Sequence, residues 1–330
     1  MLFAGMGEEG QGRLLASSAV IVGCGAIGAS TAQLLVRAGV GRLRVIDRDF
    51  VEPSNLQRQA LFDEEDARQA MPKAKAAERK LRLLNSGIAV EGVVADLTAA
   101  NAAELLSGFS LILDGTDNFE TRFLVNDYAV RAGCPWIYAA AVASYGLSFV
   151  IRPGESACLS CLLDAADGGA LLEETCDTVG VLGPAVSLVA SLQGGEALKL
   201  LSGHPEALHG RLVSCDVWSG RFQSVKVARN EGCRVCLGRE FAHLEGEAQP
   251  HITMCGRDSV QIHERRRSLD LARLSARLVE AGLTVRQNDF LLKFTAPPYE
   301  MTVFTDGRAI LKGSTDPAVA RSLYARYIGA

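Results

Sequence analysis

The stretch that decides the fold begins with Ser18-Ala-Val-Ile-Val-Gly-Cys-Gly-Ala-Ile-Gly28. Its apolar start, Ala19 to Val22, is bounded by glycine and predicts a buried parallel strand. The glycines that follow have the Gly-x-Gly-x-x-Gly spacing: Gly23, Gly25 and Gly28. Glycine permits a tight turn and a close approach of backbone to phosphate, and a following helix presents free N–H groups to the anion. The stretch therefore predicts a nucleotide-binding turn.

The residues after this turn extend the pattern. Ile27 to Ala38 is expected to form the helix, and Gly39 is expected to end it. Leu43 to Ile46 predicts the next strand. Asp47, at the carboxyl end of that strand, lies about 20 residues past the glycines, where an acid can accept hydrogen bonds from ribose hydroxyls. Because this spacing also occurs in NAD and FAD enzymes, these residues alone leave a plain dinucleotide site as an alternative.

A dense polar run comes next, and a dehydrogenase does not need one there. It reads Asp49-Phe-Val-Glu-Pro-Ser-Asn-Leu-Gln-Arg-Gln59, and Lys73 comes after a loop. Arg and Lys close to a bound nucleotide suit the charge of a triphosphate. With Asp47 and Lys73, this run resembles the MoeB/ThiF/HesA family, the bacterial relatives of ubiquitin-activating enzymes. The resemblance extends from about Gly10 to Gly238.

A second polar cluster follows the strand predicted at Leu111 to Asp114. Ligands gather at the carboxyl ends of strands in an open parallel sheet, so Asp117 and Asn118 are expected to meet the same nucleotide. An ordinary turn is the alternative, because Asp, Asn and Gly all favour turns.

The family resemblance implies an adenylyltransferase that uses ATP and Mg²⁺. Its substrate would be the C-terminal glycine of a ubiquitin-like sulfur-carrier protein ending in Gly-Gly, ThiS- or MoaD-like, and pyrophosphate would be released. Arg58 and Lys73 are assigned to the triphosphate, Asp117 to Mg²⁺ and Asp47 to the ribose. The other residues expected at the nucleotide are Gly23, Gly25, Ala26, Gly28, Asp49, Ser54, Asn55, Leu56, Gln57, Gln59 and Asn118.

The resemblance also implies partners. The family usually forms homodimers, and a sulfur-donor enzyme is a further candidate partner. The carrier could serve thiamine or molybdopterin biosynthesis, cysteine formation or tRNA thiolation. The family usually carries an Arg-Gln pair just upstream of the segment that matches Leu2 to Gly5, and no residue here matches that arginine.

Two close cysteine pairs lie far apart in the sequence: Cys158, Cys161, Cys233 and Cys236. Each pair can offer two thiolates from one tight turn, and four thiolates close a tetrahedral structural Zn²⁺ site. Two unrelated reduced or disulfide-bonded pairs are the alternative. Cys176 lies in an expected loop, Leu162 to Gly183, before a helix predicted at Ser187 to Leu201. In some relatives the matching cysteine bonds covalently with the carrier and in others it is dispensable, so both roles stay open.

Composition and charge set the broad class. The chain has 330 residues and a net charge of −4, with 48% hydrophobic residues. We find no basic block typical of nucleic-acid binding, no apolar stretch of membrane-spanning length and no signal-peptide layout. We therefore expect a cytoplasmic protein. Residues 1–240 should form an α/β, Rossmann-like, doubly wound, mostly parallel sheet with a zinc site, and residues 241–330 a small α+β appendage.

Three other functions remain as alternatives. One is adenylation of a non-protein substrate such as a modified tRNA base, which the zinc pairs and the missing basic patch disfavour. Another is an NAD-dependent oxidoreductase, for which we find no His or Tyr–Lys pair to build a hydride-transfer site. The third is a non-catalytic scaffold, suggested only by the missing upstream arginine.

Overall fold

The computed structural model describes residues 3–165, 180–246, 252–254, 259–262 and 269–329. Contacts between Cα atoms divide the chain into two units, Met1–Ala248 and Gln249–Ala330. No helix in the described ranges is long and apolar enough to cross a membrane.

The first unit is built on one eight-stranded sheet with the strand order β3-β2-β1-β4-β5-β6-β7-β8. The strands β3, β2, β1, β4 and β5 are parallel to one another, and β6, β7 and β8 continue the sheet in antiparallel fashion from β5 onward. The predicted mostly parallel α/β sheet is confirmed. The strands are β1 Ser18–Val22, β2 Arg42–Asp47, β3 Ala89–Val94, β4 Leu111–Asp114, β5 Trp136–Val142, β6 Tyr145–Ile151, β7 Leu212–Asp216 and β8 Arg221–Val225.

Helices cover both faces of this sheet. Gly39 ends α2 in the left-handed conformation (φ 87°), which glycine adopts without steric penalty. The helices are α1 Gly7–Ala16, α2 Ala26–Ala38, α3 Glu64–Arg68, α4 Lys73–Leu84, α5 Ala102–Leu106, α6 Phe119–Ala132, α7 Leu159–Ala165 and α8 Gly183–Leu201, with short 3₁₀ turns at Pro53–Asn55 and Pro205–Ala207.

The strand order places a topological switch point between β1 and β4. β1 pairs in parallel with β2 on one side and with β4 on the other. The crossovers from β1 and from β4 therefore leave in opposite directions, which opens a crevice at the carboxyl ends of these two strands. The glycine turn after β1 and the polar turn after β4 both lie at this crevice.

Three features of the first unit differ from the sequence prediction. Residues Gly7–Ala16, for which no helix was predicted, form helix α1. Helix α8 begins at Gly183 and not at Ser187, so Pro184 lies inside its first turn. Proline is tolerated there because the N–H that it lacks would have no partner in the first turn of a helix. The hairpin of β7 and β8 was not predicted: β8 is exposed along its whole length and lacks the alternation of a half-buried strand.

The second unit is a six-stranded antiparallel sheet in the order β11-β12-β13-β14-β10-β9. Its apolar side chains pack with those of two helices in one core. The predicted small α+β architecture is confirmed, with two short strands, β9 and β11, added. The bounds are β9 Ile252–Met254, β10 Ser259–Ile262, α9 Leu271–Glu280, β11 Val285–Gln287, β12 Leu291–Ala296, β13 Tyr299–Phe304, β14 Ala309–Lys312 and α10 Pro317–Tyr327.

Candidate nucleotide site and metal centre

The glycine turn is tightly packed at two of its three glycines. A Cβ added to Gly28 would lie 2.0 Å from the carbonyl oxygen of Gly23, and one added to Gly23 would lie 2.5 Å from the carbonyl oxygen of Gly115. Gly23 also has a φ of 89°, which other residues rarely adopt. Gly25 is different, because its added Cβ would meet nothing closer than 3.8 Å. The turn therefore has open space at Gly25, immediately before helix α2, where a phosphate can approach the backbone.

Asp47 is held against this turn by backbone hydrogen bonds. Its Oδ2 accepts from the N–H of Cys24 (2.5 Å) and its Oδ1 from the N–H of Asp49 (2.7 Å). Burial raises the pKa of Asp47 to about 6, an effect that nearby Lys73 opposes and Asp49 reinforces. The carboxylate lies at the carboxyl end of β2, as the sequence predicted, with the right chemistry to accept ribose hydroxyls.

Lys73 pairs with one carboxylate and lies within electrostatic range of two more. It is the first residue of α4, it is 8% exposed, and its Nζ is 3.4 Å from Oδ2 of Asp49. Burial alone would lower the pKa of Lys73, yet Asp49, Asp47 and Asp117 together raise it. These carboxylates therefore favour the charged ammonium of Lys73, which lies within electrostatic range of residues that follow β2 and β4.

The polar run after β2 forms a compact segment that borders the glycine turn. The 3₁₀ turn Pro53–Asn55 is closed by a reciprocal pair of side-chain bonds, in which Asn55 Oδ1 accepts from the N–H of Glu52 (3.2 Å). Arg58 is half-buried, and its Nη1 donates to the carbonyl of Ser54 (3.3 Å). The segment also contains the two other residues predicted at the nucleotide, Leu56 and Gln57, of which Gln57 is exposed.

Gln59 gives this segment a direct link to the glycine turn. It is 3% exposed, and its Nε2 lies 4.0 Å from the position of a Cβ on Gly25. Its Oε1 is buried and has no hydrogen-bond partner among the described residues. A buried amide oxygen normally has a partner, so this atom fits a site that is completed by a ligand.

The turn after β4 is fixed by a buried ion pair that the sequence analysis missed. Nε of Arg122 donates to Oδ2 of Asp114 (3.0 Å), and both side chains are almost fully buried. Asn118 caps α6 by accepting from the N–H of Thr121 (2.9 Å). Asp117, between these anchors, is exposed. The sequence does place an acid and a base, Asp114 and Arg122, eight positions apart on either side of the predicted turn. Whether they pair depends on how that turn folds, which the sequence pattern does not give.

The four paired cysteines converge, as predicted. The Sγ atoms of Cys158 and Cys233 are 3.6 Å apart, those of Cys161 and Cys236 are 3.6 Å apart, and all four lie within 4.8 Å of one another. Four sulfurs at about 2.3 Å from a tetrahedral zinc ion are about 3.8 Å apart. The donor set therefore fits a closed Zn²⁺ site. Three of the four thiols are at most 3% exposed.

Cys176, for which the sequence left a covalent role open, lies outside the described residues. The described chain resumes at Gly180, and the next residues contact segments beside the candidate nucleotide site. Val181 forms a parallel bridge with Ala143, just after β5, and a Cβ on Gly183 would lie 3.4 Å from the carbonyl of Gln57.

A parallel sheet with a glycine turn and a lysine–carboxylate cluster at its switch point defines a nucleotide-binding α/β protein. The chain belongs to the ThiF family, whose profile matches residues 1–235. The resemblance found in the sequence is confirmed.

Several named proteins share this similarity. The chain is 46% identical over 333 residues to the sulfur carrier protein ThiS adenylyltransferase of Bacillus subtilis, covering 99% of this chain and 97% of that protein. It is 39% identical over 241 residues to the sulfur carrier protein adenylyltransferase of Thermus thermophilus, covering 72% and 88%. It is 37% identical over 238 residues to the molybdopterin-synthase adenylyltransferase of Escherichia coli, covering 72% and 93%.

Solved structures show the same fold. The microcin C7 biosynthetic enzyme MccB in complex with N-formylated MccA matches with a TM-score of 0.61 and 26% identity, over 69% of this chain and 70% of that one. Escherichia coli MccB with ATP matches with a TM-score of 0.60 and 24% identity, over 69% of each chain.

Proposed function

We propose that this protein adenylates the C-terminal glycine of a ubiquitin-like sulfur-carrier protein with ATP and releases pyrophosphate, preparing the carrier for sulfur transfer. One observation carries the proposal. Lys73 is buried and pairs with Asp49 (3.4 Å) at the switch point of the sheet, within electrostatic range of Asp47 and Asp117, in a chain 46% identical over nearly its whole length to a ThiS adenylyltransferase. Because that relative matches 99% of this chain, a ThiS-like carrier is the first candidate substrate.

The chemistry joins a peptide carboxylate to the α-phosphate of ATP. A terminal carboxylate has a pKa of about 3.5 and is already ionised at neutral pH, so no general base is needed. The barrier comes from charge repulsion and alignment, which positive side chains and positioned donors relieve. Lys73 and Arg58 would neutralise the triphosphate. Asp47 would accept the ribose hydroxyls, and the backbone at Gly25 would approach a phosphate.

The remaining predicted residues border these groups. Ser54, Asn55 and Gln59 come from the segment next to the glycine turn, and the buried Oε1 of Gln59 is free to accept a hydrogen bond from the ligand. The wider set that we propose to surround the nucleotide is Gly23, Ala26, Gly28, Asp49, Leu56, Gln57 and Asn118.

Mg²⁺ is proposed on grounds of charge. The ammonium of Lys73 already faces the charges of Asp47, Asp49 and Asp117, and of these Asp49 also pairs with Arg48 (3.9 Å), so part of the positive charge at the crevice is neutralised before a nucleotide binds. A triphosphate brought to that place would be repelled unless a divalent cation came with it. Mg²⁺ prefers carboxylate and phosphate oxygens, and the exposed Asp117 is the carboxylate best placed to hold it.

We propose two features of the whole particle as well. Residues 1–240 would be the adenylation domain with its zinc site, and residues 241–330 an appendage that binds the carrier or another partner, such as a sulfur-donor enzyme. The protein would act as a homodimer with two adenylation sites. A covalent bond between Cys176 and the carrier remains an additional step to test.

ATP–pyrophosphate exchange tests the proposal. Purified protein is incubated with ATP, Mg²⁺ and labelled pyrophosphate, and carriers ending in Gly-Gly are supplied one at a time. We expect exchange only when a carrier is present, and none with the same carrier lacking its last glycine. Exchange with no carrier, together with modification of a supplied tRNA, would overturn the proposal in favour of a non-protein substrate.

A further inference from the structure

A buried polar network lies behind the turn that carries Asp117 and Asn118. Its centre is the ion pair of Asp114, 2% exposed, and Arg122, 6% exposed. Neither side chain is among the groups proposed to touch the nucleotide.

Asp114 uses both carboxylate oxygens to hold the turn and the neighbouring strand. Oδ1 accepts from the N–H of Thr116 (2.9 Å) and from its hydroxyl (2.7 Å). Oδ2 accepts from Nε of Arg122 (3.0 Å) and from the N–H of Ala139 on β5 (3.4 Å). Each oxygen therefore has two donors.

Arg122, in the first turn of α6, bonds to the same two residues that Asp114 contacts, Thr116 and Ala139. Its Nη2 donates to the carbonyls of Thr116 (2.8 Å) and Ala139 (3.3 Å). The guanidinium carbon also lies 5.1 Å from the ring centroid of Phe119 and 5.2 Å from that of Tyr138. Thr116 is thus bonded at its N–H, its hydroxyl and its carbonyl, one residue before Asp117.

Gln193 extends this network across the sheet. It lies on α8 with no exposed surface, and its Nε2 donates to the carbonyls of Asp114 (2.8 Å) and Ile137 (3.1 Å). Its Oε1 accepts from the hydroxyl of Thr31 on α2 (2.8 Å). The network therefore connects β4, β5 and α6 with α2 and α8.

We propose that Asp114, Arg122 and Gln193 are positioning residues for the adenylation step, and that they fix the turn from Gly115 to Asn118 so that Asp117 meets the metal and phosphates in one geometry. A buried ion pair contributes little net stability compared with well-packed apolar residues, so a gain in stability does not explain why the Asp114–Arg122 pair is there. A fully bonded polar network does impose rigidity. Displacing a catalytic group by about 1 Å can reduce a rate about a hundredfold. This inference rests on the proposed adenylation activity.

Matched substitutions at Thr116 test the inference with little risk to folding. Thr116→Val removes the hydroxyl bond to Asp114 and keeps the shape, whereas Thr116→Ser keeps the hydroxyl. Arg122→Lys is the stronger perturbation, since a single ammonium cannot reproduce the guanidinium fork. For each variant the measurements are the kcat of carrier-dependent exchange, the KM of the carrier, the Mg²⁺ concentration giving half-maximal rate, and the unfolding temperature.

We expect Thr116→Val to lower kcat by about tenfold, the effect of one lost hydrogen bond to a charged group. The half-maximal Mg²⁺ concentration should rise, while the KM of the carrier stays within about twofold. Thr116→Ser should retain nearly the wild-type kcat, and Arg122→Lys should lose about a hundredfold.

Two outcomes would overturn the inference. One is a folded Thr116→Val protein with wild-type kcat and Mg²⁺ dependence. The other is a loss of activity in both Thr116 variants that only follows the fraction of folded protein. Should Arg122→Lys fail to fold, the Thr116 pair still decides. If wild-type protein shows no exchange with any carrier, the proposed function itself has failed, so the two failures are distinguishable.

Discussion

Removal of zinc should destabilise the first unit by a calculable amount. The four thiols come from two segments, and Cys158 and Cys233 are 75 positions apart. A zinc ion bound to both pairs acts as a cross-link that closes this long loop. Cys233→Ser, at a thiol 3% exposed, removes one ligand with the smallest change in side-chain shape.

The magnitude follows from the loop length. Chain-entropy theory gives about 4.5 kcal/mol for a cross-link closing a 75-residue loop. A unit of about 250 residues unfolds with an entropy of about 0.5 kcal/mol per kelvin. The unfolding temperature of the first unit should therefore fall by about 9 °C. Direct measurements on zinc peptides give larger binding energies, about 10–16 kcal/mol, so this is a lower estimate.

Tryptophan fluorescence is the assay that isolates the first unit, because both tryptophans, Trp136 and Trp218, lie in it. Trp136 is fully buried and belongs to the same apolar cluster as Cys158 and Cys161, so its emission reports the core beside the zinc site. Metal content and thermal unfolding are measured together for wild type and variant.

Cys215→Ser is the matched control, because Cys215 is also buried (1% exposed) and lies outside the cluster. It should keep about one zinc ion per chain and lose far less stability than Cys233→Ser. The reasoning is refuted if wild-type protein carries substoichiometric zinc yet has full activity and stability. It is also refuted if Cys233→Ser loses its zinc and unfolds at the wild-type temperature.

Three further predictions concern the nucleotide site. Lys73→Ala should reduce carrier-dependent exchange about a hundredfold or more because it removes the buried cation, whereas Lys75→Ala, which loses only the half-buried ion pair with Glu78 (2.8 Å), should have little effect on the rate; a near-wild-type rate for Lys73→Ala would remove Lys73 from the site. Gly28→Ala should impair ATP binding, since its Cβ would lie 2.0 Å from the carbonyl oxygen of Gly23, while Gly12→Ala, inside α1 with no neighbouring atom within 4 Å, should leave the KM for ATP unchanged and slightly raise stability. Burial raises the pKa of Asp47 from 3.8 to about 6, so kcat/KM for ATP should fall as the pH drops through about 6, and Asp47→Asn should lose that inflection. The folded state then binds more protons than the unfolded state between about pH 4 and 6, so ionisation of Asp47 should lower the free energy of unfolding as the pH rises through this window. If wild type and Asp47→Asn showed the same pH dependence of kcat/KM, the assignment of Asp47 would be contradicted.

Local patterns in the sequence predicted the parts of the site that depend on local geometry. The glycine spacing, the apolar run before it and Gly39 predicted the β1–turn–α2 unit, because the required φ values and burial are properties of neighbouring residues. The cysteine pairs were equally predictable, since thiolates in two close pairs are a specific donor set. By contrast, the role of Gln193 depends on contacts with Thr31 and Asp114 that only the folded sheet creates.

Helix α6 shows why such long-range contacts escape a sequence reading. A helix that covers one face of a sheet normally buries its apolar face and exposes its polar residues. Here Arg122, Asn126 and Asp127 are all at most 6% exposed. Arg122 holds the turn before the helix, Asn126 Oδ1 accepts from the N–H of Leu159 beside the zinc pair (2.9 Å), and Asp127 Oδ2 accepts from the N–H of His243 (3.0 Å).

Each of these side chains therefore binds a different segment, and the hydrophobic pattern of α6 alone would assign all three to solvent. Burial of a polar group is costly unless it is hydrogen-bonded, so such residues persist only where a specific partner backbone is supplied. One helix thereby connects the edge that carries Asp117 with the segment that carries the first two cysteines. The candidate nucleotide site and the candidate metal centre, predicted from separate motifs, are joined through the buried polar side chains of α6.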